Sequence, residues 1–352
     1  MSDVLIKASE CVKWRNALTR FEKVDVCQLP EYHVAYSRLI EDAKPLLWKF
    51  EAGNDYFCYP FILSPVIIKK STGLAVRTEY SDISSVYGYS GPLSTTDDKN
   101  FLDRAWTKFD EFVAENNVIA EFTRFSLYSD NKNLAHKDTT IEYNRLLAAS
   151  QLPATEKLLF QALNSKTRNM IRKAWSSNLE AREIKLTDYL VEFRTLYNST
   201  MKRRQASDFF HFNSKYFDDL LALPECEICL TGVFSENILI TVALALTHGK
   251  ASIYHLGASL SEYANKGAGN LVLFEMGKNL IDRGVEFLTA GGGTTVDEED
   301  SLFRFKKNNT LNVGKYFIGK RILNPVAYRD VSEFWQDINQ CLKPEGKLIF
   351  YR

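Results

Sequence analysis

The chain has 352 residues, with 44 Lys and Arg side chains, 44 Asp and Glu side chains and a formal net charge of zero. Hydrophobic residues make up 45% of the sequence, which is enough apolar material for the cores of about two domains. This balance excludes an intrinsically disordered chain and a broadly basic protein that binds the phosphate backbone of nucleic acids.

The N-terminus and the cysteines indicate the compartment. Residues 1–10 lack the apolar core of a signal peptide, and no apolar run approaches the roughly 18 residues that span a bilayer. Cys226 and Cys229 form a C-x-x-C pair, but no second pair or nearby histidine completes the set of about four ligands of a structural zinc site. We therefore expect a cytoplasmic protein with reduced thiols, no metal and no transmembrane segment.

The first part of the chain alternates helices and strands. In chain order the patterns predict helices over 9–21 and 31–43, a strand or strand pair over 56–69, a helix over 101–115, and strands over 118–125 and 140–148. The stretch Gln151–Pro153 is a plausible boundary. We expect one domain over 1–152 and a second over 153–352.

The second part has a more informative order of elements. After helical segments over 154–177, 187–204 and 214–223, it has strands over 227–234, 238–246 and 251–256, a Gly-rich turn, a helix over 271–283, a strand over 285–289, a helix over 301–307 and a strand over 313–318. The first three strands are joined by short turns and are therefore expected to be antiparallel. Two mixed α/β blocks of similar size also allow a diverged tandem repeat.

The Gly-rich turn is the first candidate binding site. It consists of Lys266, Gly267, Ala268, Gly269 and Asn270. Glycines let a backbone approach an anion closely, and the free N–H groups at a helix N-terminus attract phosphate. Lys266 adds a mobile positive charge. A tight strand-to-helix turn without a ligand is the alternative that the residues leave open.

This order of elements, with a Gly-rich turn that opens the central helix, resembles the GNAT acyltransferases. Their motif Gln/Arg-x-x-Gly-x-Gly/Ala binds the pyrophosphate of acyl-coenzyme A. Residues 264–269, Ala-Asn-Lys-Gly-Ala-Gly, match both glycine positions. Ala264 replaces the Gln or Arg of the first position, and Lys266 is the candidate for the missing charge.

A wider resemblance, to the FemAB-like tandem GNAT proteins, covers some 220 residues of the chain. It is carried by YGYSGPL at 87–93, RNMIRKA at 168–174, YHLGAS at 254–259, GGG at 291–293 and DSLFRFK at 300–306. The resemblance implies an α/β fold of two tandem GNAT-like domains, each a mixed, mostly antiparallel sheet flanked by helices. The second domain would carry the acyl-donor motif.

The resemblance also implies transfer of an acyl group to an amine in a cleft between the domains. Some members use acyl-coenzyme A, whereas the peptidoglycan bridge enzymes use aminoacyl-tRNA and a murein precursor. The glycines before the central helix suit a coenzyme pyrophosphate. We therefore expect transfer of an acyl group, first of all acetyl, from acyl-coenzyme A to the amino group of a sugar, a nucleotide sugar or another small metabolite, in cell-envelope polysaccharide biosynthesis.

Three residues are the candidates for catalysis. In GNAT folds two strands, here 251–256 and 285–289, splay apart to admit the acyl arm, and a main-chain N–H near 255–257 is a candidate oxyanion donor. Tyr254 and His255 lie at the end of the first strand on opposite faces, and the sequence leaves open which one faces the cleft. His255 is a candidate base because its ordinary pKa lies near neutrality. By resemblance, Lys306 approaches the transferred carbonyl, where it stabilises an oxyanion or binds an acidic acceptor. A packing histidine and a solvated lysine are the alternatives.

Four further residues are candidates for substrate binding. Arg168 and Arg172 are four residues apart on one helix face, which suits a phosphate-bearing acceptor. Tyr87 and Tyr89 lie in a Gly- and Pro-containing turn, where tyrosines can stack on a sugar and hydrogen-bond to it. A solvated helix face and a packing turn are the corresponding structural alternatives.

Two other functions remain open from the sequence. One is an aminoacyl-tRNA-dependent transferase that acts on a peptidoglycan precursor, and the other is a non-catalytic binding module of the same fold. Residues 1–150 carry 18 basic and 21 acidic side chains, and residues 151–352 carry 26 and 23. This small positive excess suits a few phosphates on a coenzyme or sugar nucleotide, so we expect a small-molecule amine acceptor, and the charge balance disfavours tRNA without excluding it.

Overall fold

The structure is a computed structural model, and it describes residues 2–70, 73, 75–207 and 210–351. Within this part of the chain the strands are β1 (Ser2–Lys7), β2 (Lys44–Ala52), β3 (Asp55–Lys69), β4 (Ala75–Ser84), β5 (Leu93–Ser94), β6 (Val118–Arg124), β7 (Thr140–Gln151), β8 (Glu180–Ile184), β9 (Ile228–Ser235), β10 (Ile238–His248), β11 (Ala251–Ser259), β12 (Phe287–Gly291) and β13 (Asn312–Ile322). The α-helices are α1 (Cys11–Leu18), α2 (Pro30–Ser37), α3 (Lys99–Glu115), α4 (Glu156–Ala162), α5 (Ser165–Ser176), α6 (Leu186–Arg203), α7 (Ser214–Leu220), α8 (Ala268–Asp282), α9 (Ser301–Asn308) and α10 (Pro325–Asn339).

The chain divides into two compact units. Unit 1 comprises Met1–Glu22, Cys27–Asn144 and Tyr316–Arg352, and unit 2 comprises Lys23–Val26 and Arg145–Lys315. The sequence predicted domains over 1–152 and 153–352, whereas in the structure the main change of unit lies between Asn144 and Arg145, residues 23–26 belong to unit 2, and residues 316–352 return to unit 1. The physical reason is strand pairing, because Ile318–Ile322 of β13 pair with β6 and α10 packs in the same unit.

Unit 1 is built on a sheet with the strand order β1-β2-β3-β4-β6-β13. Strands β4 and β6 pair in parallel, and all the other strand pairs of this order are antiparallel. The helix predicted over 101–115 is α3, whose Phe101, Trp106 and Phe109 are buried against aromatic residues of β2 and β3. Asp98 caps this helix by accepting a hydrogen bond from the Asn100 N–H at 2.9 Å.

Unit 2 repeats this plan with the strand order β8-β9-β10-β11-β12-β7. Here the step from β11 to β12 is parallel and the other neighbours are antiparallel. Its core lies between the sheet and α8, where Leu271, Phe274 and Leu280 are buried together with Ile171 and Ala174 of α5. Burial of this largely apolar face holds the first turn of α8 in place beside the sheet.

The repeated strand order shows two similar domains in tandem, so the predicted α/β fold class is confirmed. In each unit, four antiparallel strands precede one parallel step and a last antiparallel strand. The last strand of unit 1 is β13 and that of unit 2 is β7.

Each of the six cysteines lies in the described residues and is a free thiol. Across the described residues, every helix is too short or too polar to cross a bilayer.

Candidate active site

The strands β11 and β12 of unit 2 separate after a short parallel stretch. They pair only through Ala251–Ile253 and Phe287–Thr289, and β11 then continues to Ser259 beside β10. In the described pairings, the rest of this edge of β11 has no neighbouring strand. A separation of these two strands is what the resemblance to GNAT folds implies for the entry of the acyl arm.

A β-bulge lies at this point of β11. Leu244 of β10 pairs with Leu256, whereas the next residue, Ala245, pairs with Tyr254. His255 is therefore the extra residue of the bulge, which changes the direction of the side chains beyond it. The bulge therefore determines the directions of the Tyr254 and His255 side chains, which the sequence left open.

The bulge directs His255 into the interior, towards α7. Its side chain is buried, and its Nε2 atom lies 2.6 Å from the Tyr216 hydroxyl. Burial disfavours the charged imidazolium and lowers the pKa of His255 to about 3. The ring is therefore neutral at physiological pH, and the structure does not bring it together with Lys306.

Tyr254 instead lies beside Lys306 of α9. The Lys306 Nζ atom is 5.4 Å from the centre of the Tyr254 ring and donates a hydrogen bond to the Gly292 carbonyl at 3.0 Å. Tyr254 also packs against a small apolar cluster that contains Ala290 and Phe303. These contacts place the Lys306 ammonium group beside the Tyr254 side chain, next to buried apolar side chains, at the point where β11 and β12 separate.

The protonation of these two groups follows from their surroundings. Burial, and after it the positive charge of Arg204, lowers the pKa of Lys306 to about 8, while Asp300 opposes this shift. Burial raises the pKa of Tyr254 to about 12. At neutral pH the lysine is therefore mostly charged and close to its titration point, and the tyrosine is a hydrogen-bond donor.

Asp300 holds the helix that carries Lys306. Its carboxylate accepts hydrogen bonds from the N–H groups of Leu302 at 2.9 Å and Phe303 at 3.0 Å, at the start of α9. It also accepts from the N–H groups of Thr294 and Thr295, both at 3.1 Å. The Thr294 hydroxyl donates to the same carboxylate at 2.5 Å. Desolvation raises the pKa of Asp300, but this bond and the backbone N–H bonds outweigh it and lower the pKa, and together they fix both the loop after Gly292 and the first turn of α9.

The Gly-rich turn lies at the N-terminus of α8. Gly267 has φ +82°, and a Cβ atom there would lie 2.2 Å from the Met170 carbonyl oxygen of α5. A Cβ atom on Gly269 would lie 3.2 Å from the Phe305 ring of α9. Gly267 is therefore explained by its left-handed backbone and the close approach of α5, whereas at Gly269 a shift of the Phe305 ring by a few tenths of an ångström would make room for a side chain.

Other features of the same turn fit an anionic ligand. The structure describes no partner for the N–H groups of Ala268 and Gly269 in this first turn of α8. Lys266 is exposed, with its Nζ atom 4.7 Å from the Tyr263 ring centre. Asn270 instead donates to the Asn309 side chain at 2.9 Å. Ala268 is only 1% exposed, so the N–H group of the partly exposed Gly269 and the exposed Lys266 ammonium group are the features that suit a phosphate group.

The remaining candidates have structural partners. Arg168 donates to the carbonyl oxygens of Gln161, at 3.1 Å, and of Leu163 at the end of α4. Its guanidinium group therefore caps the C-terminus of α4. In unit 1, the Tyr32 hydroxyl donates to the Tyr87 carbonyl, and the Tyr89 ring packs edge-on against Tyr316 at 5.3 Å.

Arg172 differs from Arg168 because its guanidinium group remains exposed. It donates to the Asn169 side chain at 2.9 Å and lies over the Phe160 ring at 5.3 Å.

In the ranges that the structure covers, no group of three or more His, Cys, Asp or Glu side chains is arranged to hold a metal ion.

Comparison with known proteins connects this geometry to a family. Residues 165–307 match the family model of the acetyltransferase (GNAT) domain, and this span runs from α5 to Lys307, one residue before α9 ends. It contains the opening between β11 and β12, the Gly-rich turn and Lys306. A search of curated proteins finds no significant match.

Several solved structures share the fold over nearly the whole chain. FemX has a TM-score of 0.70 at 14% identity, with 94% of this chain and 99% of FemX covered. L-PGS from Bacillus licheniformis has a TM-score of 0.57 at 10% identity, with 93% and 96% covered. The C-terminal domain of a putative lysylphosphatidylglycerol synthetase from Agrobacterium fabrum has a TM-score of 0.55 at 12% identity, with 94% and 96% covered. At these identities the likeness shows the fold alone.

Proposed function

We propose that this chain, in which residues 165–307 match the acetyltransferase (GNAT) domain model and the fold is that of FemX, moves an acyl group from acyl-coenzyme A to an amine. The transferred group is acetyl in the first instance, and the acceptor is a sugar, a nucleotide sugar or another small metabolite of cell-envelope polysaccharide synthesis in the cytoplasm. The observation that carries this proposal is the pairing of Lys306 with Tyr254 where β11 and β12 separate, in the same unit as the Gly-rich turn.

The proposed chemistry needs little from side chains. The amine nitrogen attacks the thioester carbonyl, a C–N bond forms, the C–S bond breaks, and one amine proton reaches the leaving sulfur. The Lys306 ammonium group stabilises the oxyanion that develops on the carbonyl oxygen. The Tyr254 phenol donates its proton to the leaving thiolate and regains one from the amine. His255, neutral and bonded to Tyr216, has no part in this scheme.

The proposed donor site is tested by reversing the charge next to the Gly-rich turn. We expect Lys266→Glu to weaken acetyl-coenzyme A binding about tenfold, because it places a carboxylate beside the pyrophosphate. Isothermal titration calorimetry measures the dissociation constant. Lys250→Glu is the control for an exposed lysine away from the turn, since Lys250 is also exposed and lies at the other end of β11, where it pairs with Glu286. Equal binding by both variants would remove the turn from the donor site.

The same calorimetry separates the two donor classes. At low salt, where phosphate contacts are strongest, we expect acetyl-coenzyme A to bind with saturation and charged tRNA not to bind. Binding of charged tRNA without acetyl-coenzyme A would replace the proposed function with the aminoacyl-tRNA-dependent alternative.

The pH dependence of turnover reports on Lys306. Its pKa lies at about 8, so the ammonium form is present below this pH and is lost as the pH rises through it. We expect kcat with a weakly basic amine acceptor to fall above about pH 8. Lys306→Arg should shift this fall to much higher pH, because a guanidinium group stays charged. A wild-type profile that rises to pH 10 and coincides with that of Lys306→Arg would contradict the assignment.

A further inference from the structure

An aromatic cluster lies at the surface of unit 2, on helices outside the Lys306 site. Phe160 of α4 and Trp175 of α5 are stacked, with ring centres 5.7 Å apart and an interplanar angle of 27°. Both rings meet Phe274 of α8 edge-on, at 5.5 Å and 6.1 Å. Trp175 nevertheless remains 47% exposed. The Trp175 ring is fixed by its contacts with Phe160 and Phe274, and its exposed surface can stack with another flat ring, so we call Phe160 and Trp175 the Phe160–Trp175 platform.

The charge around this platform is positive. The Arg172 guanidinium group lies 5.3 Å from the centre of the Phe160 ring, and Lys157 and Lys173 are also exposed. In the described residues none of these three cations has a carboxylate partner. Glu156 is the acidic side chain on the adjoining turn of α4. A ligand with a flat ring and a phosphate group would satisfy both features.

The platform lies close to the Gly-rich turn. The Met170 carbonyl of α5 touches Gly267, and Trp175 follows five residues later on the same helix. Phe274 likewise follows Gly269 by five residues on α8. At about 1.5 Å of rise per residue, the platform is about 8 Å along both helices from the N-terminus of α8. This spacing suits a nucleoside that is linked to a pyrophosphate at the turn.

We propose that the Phe160–Trp175 platform binds the adenosine 3′-phosphate end of the acyl donor. The adenine ring stacks on Trp175, and Arg172, which lies over the Phe160 ring, binds the 3′-phosphate. The inference rests on the proposed use of acyl-coenzyme A and adds a base-binding residue and a phosphate-binding residue to it.

The intrinsic fluorescence of Trp175 tests the stacking directly. Trp14, Trp48 and Trp106 are buried and Trp335 is half-buried, so Trp175 is the accessible indole in the described chain. We expect acetyl-coenzyme A to quench the fluorescence of the wild-type protein, and pantetheine, which lacks the nucleotide, not to do so. The quenching should disappear in Trp175→Phe and persist in Trp335→Phe.

Affinity provides the second readout. By calorimetry we expect Trp175→Ala to raise the dissociation constant of acetyl-coenzyme A about tenfold, and Arg172→Ala to raise it less for the 3′-dephospho form than for the complete coenzyme. Leu158→Ala is the matched control, because Leu158 is exposed to a similar extent, 48%, and has no place in the ring stack. Pantetheine binding should be the same in all variants.

The outcomes separate this inference from the proposed donor. Tight acetyl-coenzyme A binding that is unchanged in both Trp175→Ala and Arg172→Ala would overturn the platform and leave the donor in place. Failure of the wild-type protein to bind acetyl-coenzyme A would overturn the donor and the platform together. Quenching by single-stranded oligoadenylate without quenching by acetyl-coenzyme A would also overturn the proposal, since the platform would then serve a nucleic acid.

Discussion

Replacement of Lys306 by methionine is expected to lower kcat about 100- to 1,000-fold, with a much smaller change in KM. The loss is that of one charged donor aimed at a developing oxyanion in a site with little water. Methionine keeps most of the stem that packs beside Tyr254, so the variant should fold. Steady-state turnover of acetyl-coenzyme A with a saturating amine measures the effect.

Lys307→Met is the matched control for this prediction. Lys307 is the adjacent residue of α9, but it is exposed and its Nζ atom lies 6.0 Å from the Phe303 ring centre. We expect its kcat to stay within about twofold of the wild-type value. Equal losses in both variants would point to a general effect of charge on α9, and unchanged turnover in Lys306→Met would remove Lys306 from the chemistry.

Gly267→Ala is expected to destabilise the protein by about 3 kcal/mol. Two costs add at this position. An alanine in the left-handed region costs about 1 kcal/mol, and overpacking against a rigid neighbour typically adds about 1–3 kcal/mol. The neighbour here is the Met170 carbonyl oxygen, which would lie 2.2 Å from the new Cβ atom and belongs to the backbone of α5. Urea denaturation monitored by far-ultraviolet circular dichroism measures the change in unfolding free energy.

Gly249→Ala carries only the backbone part of this cost, so the difference between the two variants gives the steric part. Gly249 has φ +55° in the turn between β10 and β11, and nothing lies within 4 Å of a Cβ atom built there. We expect this variant to lose only about 1 kcal/mol. A Gly267→Ala variant as stable as Gly249→Ala would show that α5 and α8 do not approach each other as closely as the structure has it.

The sequence predicted the elements wherever local patterns are strong. The apolar spacing of Phe101, Phe109 and Phe112 predicted the helix that is α3. The helices predicted over 271–283 and 301–307 correspond to α8 and α9. The order of strands around the Gly-rich turn was sufficient to predict the family of folds, because each of these signals depends on residues that are close in sequence.

Contacts between distant residues account for what the sequence missed. The single helical segment predicted over 154–177 is two helices, because Asn164 caps α5 by accepting from the Thr167 N–H at 2.9 Å. The last strand of unit 1 comes from the C-terminal part of the chain, a pairing that no local pattern reveals.

The choice between Tyr254 and His255 was also outside the reach of the sequence. Strict alternation along a strand places the two residues on opposite faces, but it does not say which face is open. The bulge at His255 and the Tyr216 hydroxyl decide the matter, and both depend on tertiary structure. Arg204, whose charge helps to lower the pKa of Lys306, was missed for the same reason.

The most direct test of the account is amine-dependent release of free coenzyme A from acetyl-coenzyme A. Wild-type protein and Lys306→Met are compared over a panel of amino sugars, nucleotide-linked amino sugars and other small amines, with charged tRNA as a parallel donor. We expect the wild-type protein to release coenzyme A in proportion to the acetylated amine formed, and Lys306→Met to do so about 100-fold more slowly or less. Acyl transfer from charged tRNA, with no transfer from acetyl-coenzyme A to any amine, would contradict the account.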